Sequence, residues 1–193
     1  MESGQIAPPT RPLALIAVAL TGVFLGAALG AASNAVNGWV SPLYFVNILH
    51  WDDVQDVWRA AIAQGVFEGL ATGLLFSLIF TAGAGYITGA ACRYGFAIKH
   101  LLGIVAGAAG LWALGGLLAM GLAALSPEFY RRAIIGVPDD FREMLAYAWV
   151  GGSLVGLQIG GFAALVIGLV ILRANWRRAV AAGGSNSSPI PAN

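Results

Sequence analysis

Long uninterrupted runs of apolar residues dominate the chain. Four runs stand out, at positions 13–32, 57 to about 89, 101–125 and 146–172. Each is long enough to cross about 30 Å of hydrocarbon at about 1.5 Å per residue. Backbone polar groups in lipid must be satisfied within the segment, so these runs predict helices. None shows the apolar–polar alternation of a membrane barrel strand.

Composition identifies the medium around these helices. Of the 193 residues, 59% are hydrophobic and 10% are charged, whereas about 25% are charged in a soluble domain. The sequence therefore predicts an all-α integral membrane protein with four transmembrane helices, whose main partner is the lipid bilayer. A net charge of +1 gives no basic field for nucleic acid, so no nucleic-acid partner is expected. The one cysteine excludes an internal disulfide and a cysteine metal cluster.

The spans divide the chain into a short N-terminal segment (1–12), a transmembrane domain (13–178) and a Gly/Ser/Pro-rich tail (179–193). We expect the tail to be disordered. Six basic residues flank one membrane side and four flank the other, which also carries most of the acids. The positive-inside rule then predicts that both termini are cytoplasmic. The lack of a targeting signal fits a bacterial inner membrane.

Two loops between spans carry matching landmarks. Ser41-Pro42 and Ser126-Pro127 are 85 positions apart, and Asp52-Asp53 and Asp139-Asp140 are 87 apart. The prolines are expected to stop the preceding helices, while Asp52 and Asp139 are suited to cap the following ones. We interpret this match as two parallel hairpin repeats, at about 13–89 and 101–172, related by an axis along the membrane normal. The two loops are then structured and extracytoplasmic.

Glycine rows extend the match into the spans. The offset of 87 places one row on the other, and the first span carries a third. The rows are Gly65, Gly69 and Gly73; Gly152, Gly156 and Gly160; and Gly22, Gly26 and Gly30. Glycine at every fourth position lets another helix backbone approach closely. We therefore predict that the second and fourth spans meet, or nearly meet, through their glycine faces.

One acid lies inside a span. Gln64, Glu68 and Thr72 are spaced to share one helix face. Glu68 lies ten residues beyond Trp58, or about 15 Å along a helix, where an ionised acid costs on the order of 3 kcal/mol. It could be a proton or cation site, or a partner contact. It could equally be a packing residue bonded to a backbone carbonyl or to Gln158.

The repeat and the motifs limit the functions to consider. The second half has Val155 at the position equivalent to Glu68, which excludes a symmetric pair of carboxylates within one chain. The sequence contains no nucleophile–base pair, phosphate-binding loop or metal-ligand spacing, so we expect no enzyme, no catalytic residue, no metal and no cofactor.

Two function classes stay open. The first is a non-enzymatic accessory or scaffold component that associates with itself or with another membrane protein. Its contacts would be the glycine faces and the two outer loops. The alternative is a small oligomeric transporter or channel, coupled to protons or cations, that uses Glu68.

Overall fold

A computed structural model describes residues 10–185, and the described residues are helical without a strand. The helices are α1 (Pro12–Val40), α2 (Pro42–Leu49), α3 (Val57–Thr88), α4 (Tyr94–Leu125), α5 (Pro127–Ala133) and α6 (Phe141–Ser185). The predicted N-terminal segment up to residue 9, and the predicted tail from residue 186, lie outside the described residues. The tail's first part is helical, because α6 continues through residues 179–185.

Four of these helices, α1, α3, α4 and α6, are long and apolar enough to cross a membrane. Large apolar side chains cover their outer surfaces: Phe24 is 71% exposed, Phe67 69% and Leu122 66%. Water would penalise that much exposed hydrocarbon, whereas lipid does not. The predicted fold class, an all-α protein with four spans, is confirmed. The hairpin duplication stays a prediction.

The helix boundaries follow from a few local signals. Pro42 and Pro127 each occupy the first turn of a new short helix, directly after α1 and α4 end, as expected of a residue that cannot continue a helix. The predicted caps at Asp52 and Asp139 are wrong. Asp56 caps α3 by accepting the Arg59 amide, and Asp140 accepts two amides at the start of α6. A capping side chain must stand directly before the first turn.

The long helices associate in two pairs. In the first pair α1 packs along α3, and in the second pair α4 packs along α6, while the pairs touch through α1–α4 and α3–α6. Buried apolar residues fill the half of the bundle nearest the α3–α4 turn, including Val18, Phe80, Ile104 and Leu165. The short helices α2 and α5 lie at the other end.

Glycine rows form the contact within each pair. A Cβ added at Gly26 would lie 2.6 Å from Gly73 Cα, and one at Gly115 would lie 2.8 Å from Gly156 Cα. Such distances leave no room for a side chain, so these backbones are in direct contact.

The prediction that the second and fourth spans meet through their glycine faces is therefore wrong. The rows on α3 and α6 face α1 and α4 respectively. Where α3 and α6 do touch, they use the side chains of Phe76 and Leu169, against Gly161 and Gly83.

Side chains of α2 join the two outer loops. Phe45 is 2% exposed, and the Tyr44 ring packs at a tilt against Tyr147 of α6 with ring centroids 5.0 Å apart. Asn47 donates to the Gly136 carbonyl at 2.6 Å. Gly136 has φ +72°, a backbone conformation that favours glycine. The loops thus form one connected layer over the bundle.

Candidate functional site

A cavity of about 110 Å³ lies where the two helix pairs meet, lined by all four long helices. We call it the central cavity. Its walls are mostly apolar and include Leu101, Ile104 and Leu165. Six polar side chains also line it: Ser33, Asn34, Glu68, Thr72, Ser77 and Gln158. A space of this size can hold several water molecules or one small solvated ion.

The buried part of the central cavity carries an unpaired amide. Ser33, Asn34 and Ser77 are at most 4% exposed, and Ser33 donates to the Gly30 carbonyl at 3.0 Å. Neither polar atom of the Asn34 carboxamide has a hydrogen-bond partner among the described residues. Leaving a buried polar group unpaired costs about 1–3 kcal/mol. A molecule in the cavity that both donates and accepts hydrogen bonds would offset that cost.

Exposed residues form the mouth of the cavity. Glu68, Thr72 and Gln158 are exposed and line it. Because they belong to α3 and α6, the mouth opens between those two helices. Glu68 accepts a hydrogen bond from Gln64 Nε2 at 2.8 Å, and it is the one charged side chain among the lining residues. The cavity therefore carries an acid at its mouth and neutral polar groups inside.

The sequence interpretation located part of this arrangement. Glu68, Thr72 and Gln158 were singled out, and they line one cavity. Gln64 supports Glu68 from one turn away without lining the cavity, so the hydrogen-bond partner of Glu68 is Gln64 and not Gln158 or a backbone carbonyl. The predicted glycine rows contribute Gly22, Gly26, Gly30, Gly69 and Gly73 to the lining.

Two polar groups of α1 were missed. Ser33 and Asn34 lie just past residue 32, the predicted end of the first span, but α1 continues to Val40. The polar string Ser33-Asn34 followed by Asn37 is the signal that could have revealed them. Closely spaced polar residues after an apolar run usually indicate a loop, unless a helix buries them.

The buried asparagine next along α1 links the two helix pairs. Ser153 of α6 donates to Asn37 Oδ1 at 3.0 Å, and the same hydroxyl hydrogen is shared with the Val150 carbonyl of its own helix, also at 3.0 Å. Both side chains are fully buried. This link lies one turn beyond Asn34 toward the α2 end, and it holds α1 against α6 beside the cavity.

The charge of Glu68 extends toward the outer loop layer. Burial, and after it the negative charge of Glu68, raise the pKa of the Tyr44 phenol on α2. Burial, and then the proximity of Tyr44, raise the pKa of Tyr130 on α5. Both phenols therefore stay neutral over the physiological range.

The other predicted loop residues stand apart from the cavity. Ser41 separates α1 from α2 and Ser126 separates α4 from α5, while Asp52 and Asp53 lie in the turn before α3. None of the predicted outer-loop residues lines the cavity. Within residues 10–185, no three His, Cys, Asp or Glu side chains cluster as metal ligands would.

The fold and this cavity define a multi-pass membrane protein with a polar site between two helix pairs. Comparison with protein-family models, with curated proteins and with solved structures finds no match to the chain.

Proposed function

We propose that this protein is a small oligomeric transporter or channel, non-enzymatic and coupled to protons or cations, that uses Glu68. The observation that carries the proposal is the unpaired, buried Asn34 carboxamide in the same cavity as an intramembrane carboxyl group. Polar groups inside a membrane domain are expensive and usually mark a path for ions or substrates. A cavity at the interface of two structural units is also where transporters bind their substrates.

Charge and size indicate the transported species. Glu68 supplies the single acid, and the hydroxyls of Ser33, Thr72 and Ser77 supply oxygens around it. Oxygen donors with one carboxylate suit a proton, a hydrated proton or a small monovalent cation. The volume of about 110 Å³ is too small for most organic solutes, whose pockets run to at least ~300 Å³.

The position of the mouth supports an oligomer. Glu68 is exposed between α3 and α6, and an acid facing lipid at this depth costs on the order of 3 kcal/mol. A second copy across the mouth would shield the carboxyl group and complete the conduit. This deepens the alternative that the sequence left open.

The test is flux through the purified full-length protein in liposomes, with an internal pH dye for protons and separate K⁺ and Na⁺ gradients. We expect flux of one of these ions, and we expect Glu68→Gln to abolish it. Glu128→Gln is the matched control, because Glu128 is exposed on α5 and does not line the cavity. Absence of flux in wild type, or equal flux in both variants, contradicts the proposal.

Location and orientation belong to the same proposal. We place the protein in a bacterial inner membrane with both termini in the cytoplasm. The support is the distribution of basic residues: Arg11, Arg93, Lys99 and three arginines from Arg173 onward flank the proposed inner side. We expect an Asp53→Cys variant to be labelled by a reagent added outside intact cells. We expect no labelling of the same residue from the cytoplasmic side of the membrane.

We also propose that the two helical hairpins are an internal duplication. In both pairs a glycine of the earlier helix meets the glycine row of the later one. Gly30 meets Gly65, and Gly115 meets Gly152. These contacts are related by the same offsets of 85 and 87 positions that relate the loop landmarks. Two corresponding contacts at those offsets support parallel repeats.

The accessory role is the second candidate. Glycine rows cannot serve as its partner surface, because the chain's own helices occupy them. Exposed glycines on α4, Gly103 and Gly110, have nothing within 4 Å of an added Cβ and share one face at a seven-residue spacing. They favour close approach of a partner helix. Native mass spectrometry in gentle detergent separates the candidates: a homo-oligomer supports the first, and a stoichiometric foreign subunit supports the second.

A further inference from the structure

A second open depression, separate from the central cavity, lies between α3 and α6 at the end of the bundle where α3 turns into α4. It has a volume of about 570 Å³ and lies between the last turns of α3 and the continuation of α6. We call it the arginine groove. Its lining includes Tyr86 of α3 and, from α6, Val166, Val170, Arg173, Trp176 and Arg177. We propose that the arginine groove binds an anionic phospholipid, with the phosphate between Arg173 and Arg177 and an acyl chain along Val166 and Val170.

Along α6, the residues that line the arginine groove change from apolar to basic. Val166 and Val170 are 49% and 63% exposed, so they present a hydrocarbon surface. Arg173 and Arg177 follow one and two turns later on the same face, because the spacings from Val170 are three and then four residues. The eleven positions from Val166 to Arg177 span about 16 Å along a helix. A phospholipid has the same order over a similar length, with hydrocarbon first and phosphate last.

Charge at this end of the bundle is unbalanced. Arg11, Arg93, Lys99, Arg173, Arg177 and Arg178 all lie at the end where α3 turns into α4, and the described residues place no Asp or Glu there. The one ion pair among the described residues joins Arg59 to Asp56 at the opposite end. The two groove arginines therefore have no carboxylate partner. A guanidinium pairs well with phosphate through two parallel hydrogen bonds, and a groove that offers two guanidiniums favours an anionic headgroup.

Aromatic side chains flank the arginine groove at the level expected for lipid headgroups. Trp176 is half-buried and packs edge-on against Phe96, with ring centroids 5.7 Å apart, so one wall is rigid. Tyr86 on α3 is 92% exposed and flanks the other side. Trp and Tyr concentrate at the headgroup level of a bilayer, and basic pockets between spans bind lipid headgroups. This proposal depends on the membrane class of the protein and not on transport.

Lipid titration with native mass spectrometry tests the proposal on the full-length protein in detergent. The two probes are phosphatidylglycerol and phosphatidylcholine with identical acyl chains. We expect phosphatidylglycerol adducts at lower lipid concentration than phosphatidylcholine adducts. The double variant Arg173→Gln with Arg177→Gln should need at least fivefold more phosphatidylglycerol for the same occupancy. The charge-matched control, Arg93→Gln with Arg178→Gln, removes two charges at the same end outside the groove and should behave as wild type.

Three outcomes overturn the proposal: equal binding of both lipids, an equal loss in the control double variant, or displacement of the lipid by inorganic phosphate at matched concentration. The last would indicate a site for a free anion. If the groove variant does not fold, photo-crosslinking of wild type with a photoactivatable phosphatidylglycerol decides. Labelled peptides must then come from 83–87 and 166–177, and labelling elsewhere contradicts the assignment.

Discussion

Ser153 Oγ of α6 donates a hydrogen bond of 3.0 Å to Asn37 Oδ1 of α1, and neither side chain is exposed. This contact joins the first helix pair to the second next to the central cavity. Apolar side chains such as Phe76 and Leu169 also make contacts between the pairs. The hydroxyls of Thr21 and Tyr94 form a second hydrogen bond between the pairs, joining α1 to α4 at 3.1 Å. The buried hydrogen bond of Ser153 therefore gives the interface a defined register that apolar packing alone does not provide.

Removing this hydroxyl should loosen the association of the two pairs. Ser153→Ala leaves Asn37 Oδ1 buried without a partner, so we expect a loss of about 1 kcal/mol in the free energy of unfolding. Unfolding in mixed micelles, followed by circular dichroism, measures it. Ser33→Ala is the control, because its hydroxyl bonds only the Gly30 carbonyl of its own helix. A control loss as large as that of Ser153→Ala would argue against a role for the link between the pairs.

A methyl group in the glycine contact should be strongly unfavourable. At Gly69 a Cβ would lie 2.9 Å from Ala27 Cα and closer still to the Gly26 carbonyl oxygen. Neither backbone can rotate away, so Gly69→Ala must push α1 from α3. We expect a loss of about 1–3 kcal/mol, measured as a lower denaturation midpoint in detergent.

Gly103→Ala provides the comparison for this prediction. Its Cβ would meet nothing within 4 Å, and alanine is the better helix former by about 1 kcal/mol. We expect Gly103→Ala to be neutral or stabilising. Equal destabilisation by both substitutions would show that backbone contact is not what limits position 69.

How much of this architecture the sequence predicts depends on the range of the forces involved. Burial in lipid acts on every residue of a span, so the four helices can be recognised from hydropathy alone. Pro42 and Pro127 act on their own backbone, and they mark breaks correctly. Which glycine face meets which helix is a property of the whole chain. The equal rows at Gly65 and Gly152 therefore suggested that their helices pair with each other, whereas each packs on the preceding long helix.

The candidate site shows the same limit at the level of side chains. Glu68 is conspicuous because it is charged within an apolar run, and its partner Gln64 is one turn away. Asn34 is not conspicuous, since three polar residues within five positions usually signal the end of a span. In the structure Asn34 packs directly against Gly65, whose added Cβ would lie 2.8 Å from Asn34 Cβ. Local sequence cannot report that contact.

Asn34 should oppose stability while supporting function. Its carboxamide is buried without a protein partner, so Asn34→Leu removes an unpaired polar group and adds apolar contact in the cavity. We expect an increase of about 1 kcal/mol in the free energy of unfolding, together with loss of ion flux in liposomes. The two readouts move in opposite directions, which a purely structural role would not produce.

Asn37→Leu is the matched comparison, on the same helix and equally buried. Asn37 Nδ2 also has no partner among the described residues, but Asn37 Oδ1 accepts the Ser153 hydrogen bond, so its replacement should lower the free energy of unfolding. A loss of stability in Asn34→Leu of the same size would show that Asn34 has a fixed partner in the membrane. It would then be a structural residue like Asn37.

The last prediction concerns the pKa of Tyr44. Burial is the main cause that raises this pKa, and the charge of Glu68 is the second, so the folded chain favours the neutral phenol. The contribution of Tyr44 to stability is then complete below its unfolded pKa of about 10. It is lost as the pH rises through the higher folded pKa.

Glu68→Gln should shift the Tyr44 titration to lower pH without returning it to the ordinary value, because burial remains. Tyrosinate absorbance, taken as the difference between each protein and its Tyr44→Phe counterpart, measures the shift. Glu128→Gln should leave the titration in place, and an unchanged titration in Glu68→Gln would mean that the mouth of the cavity is electrically isolated from the loop layer.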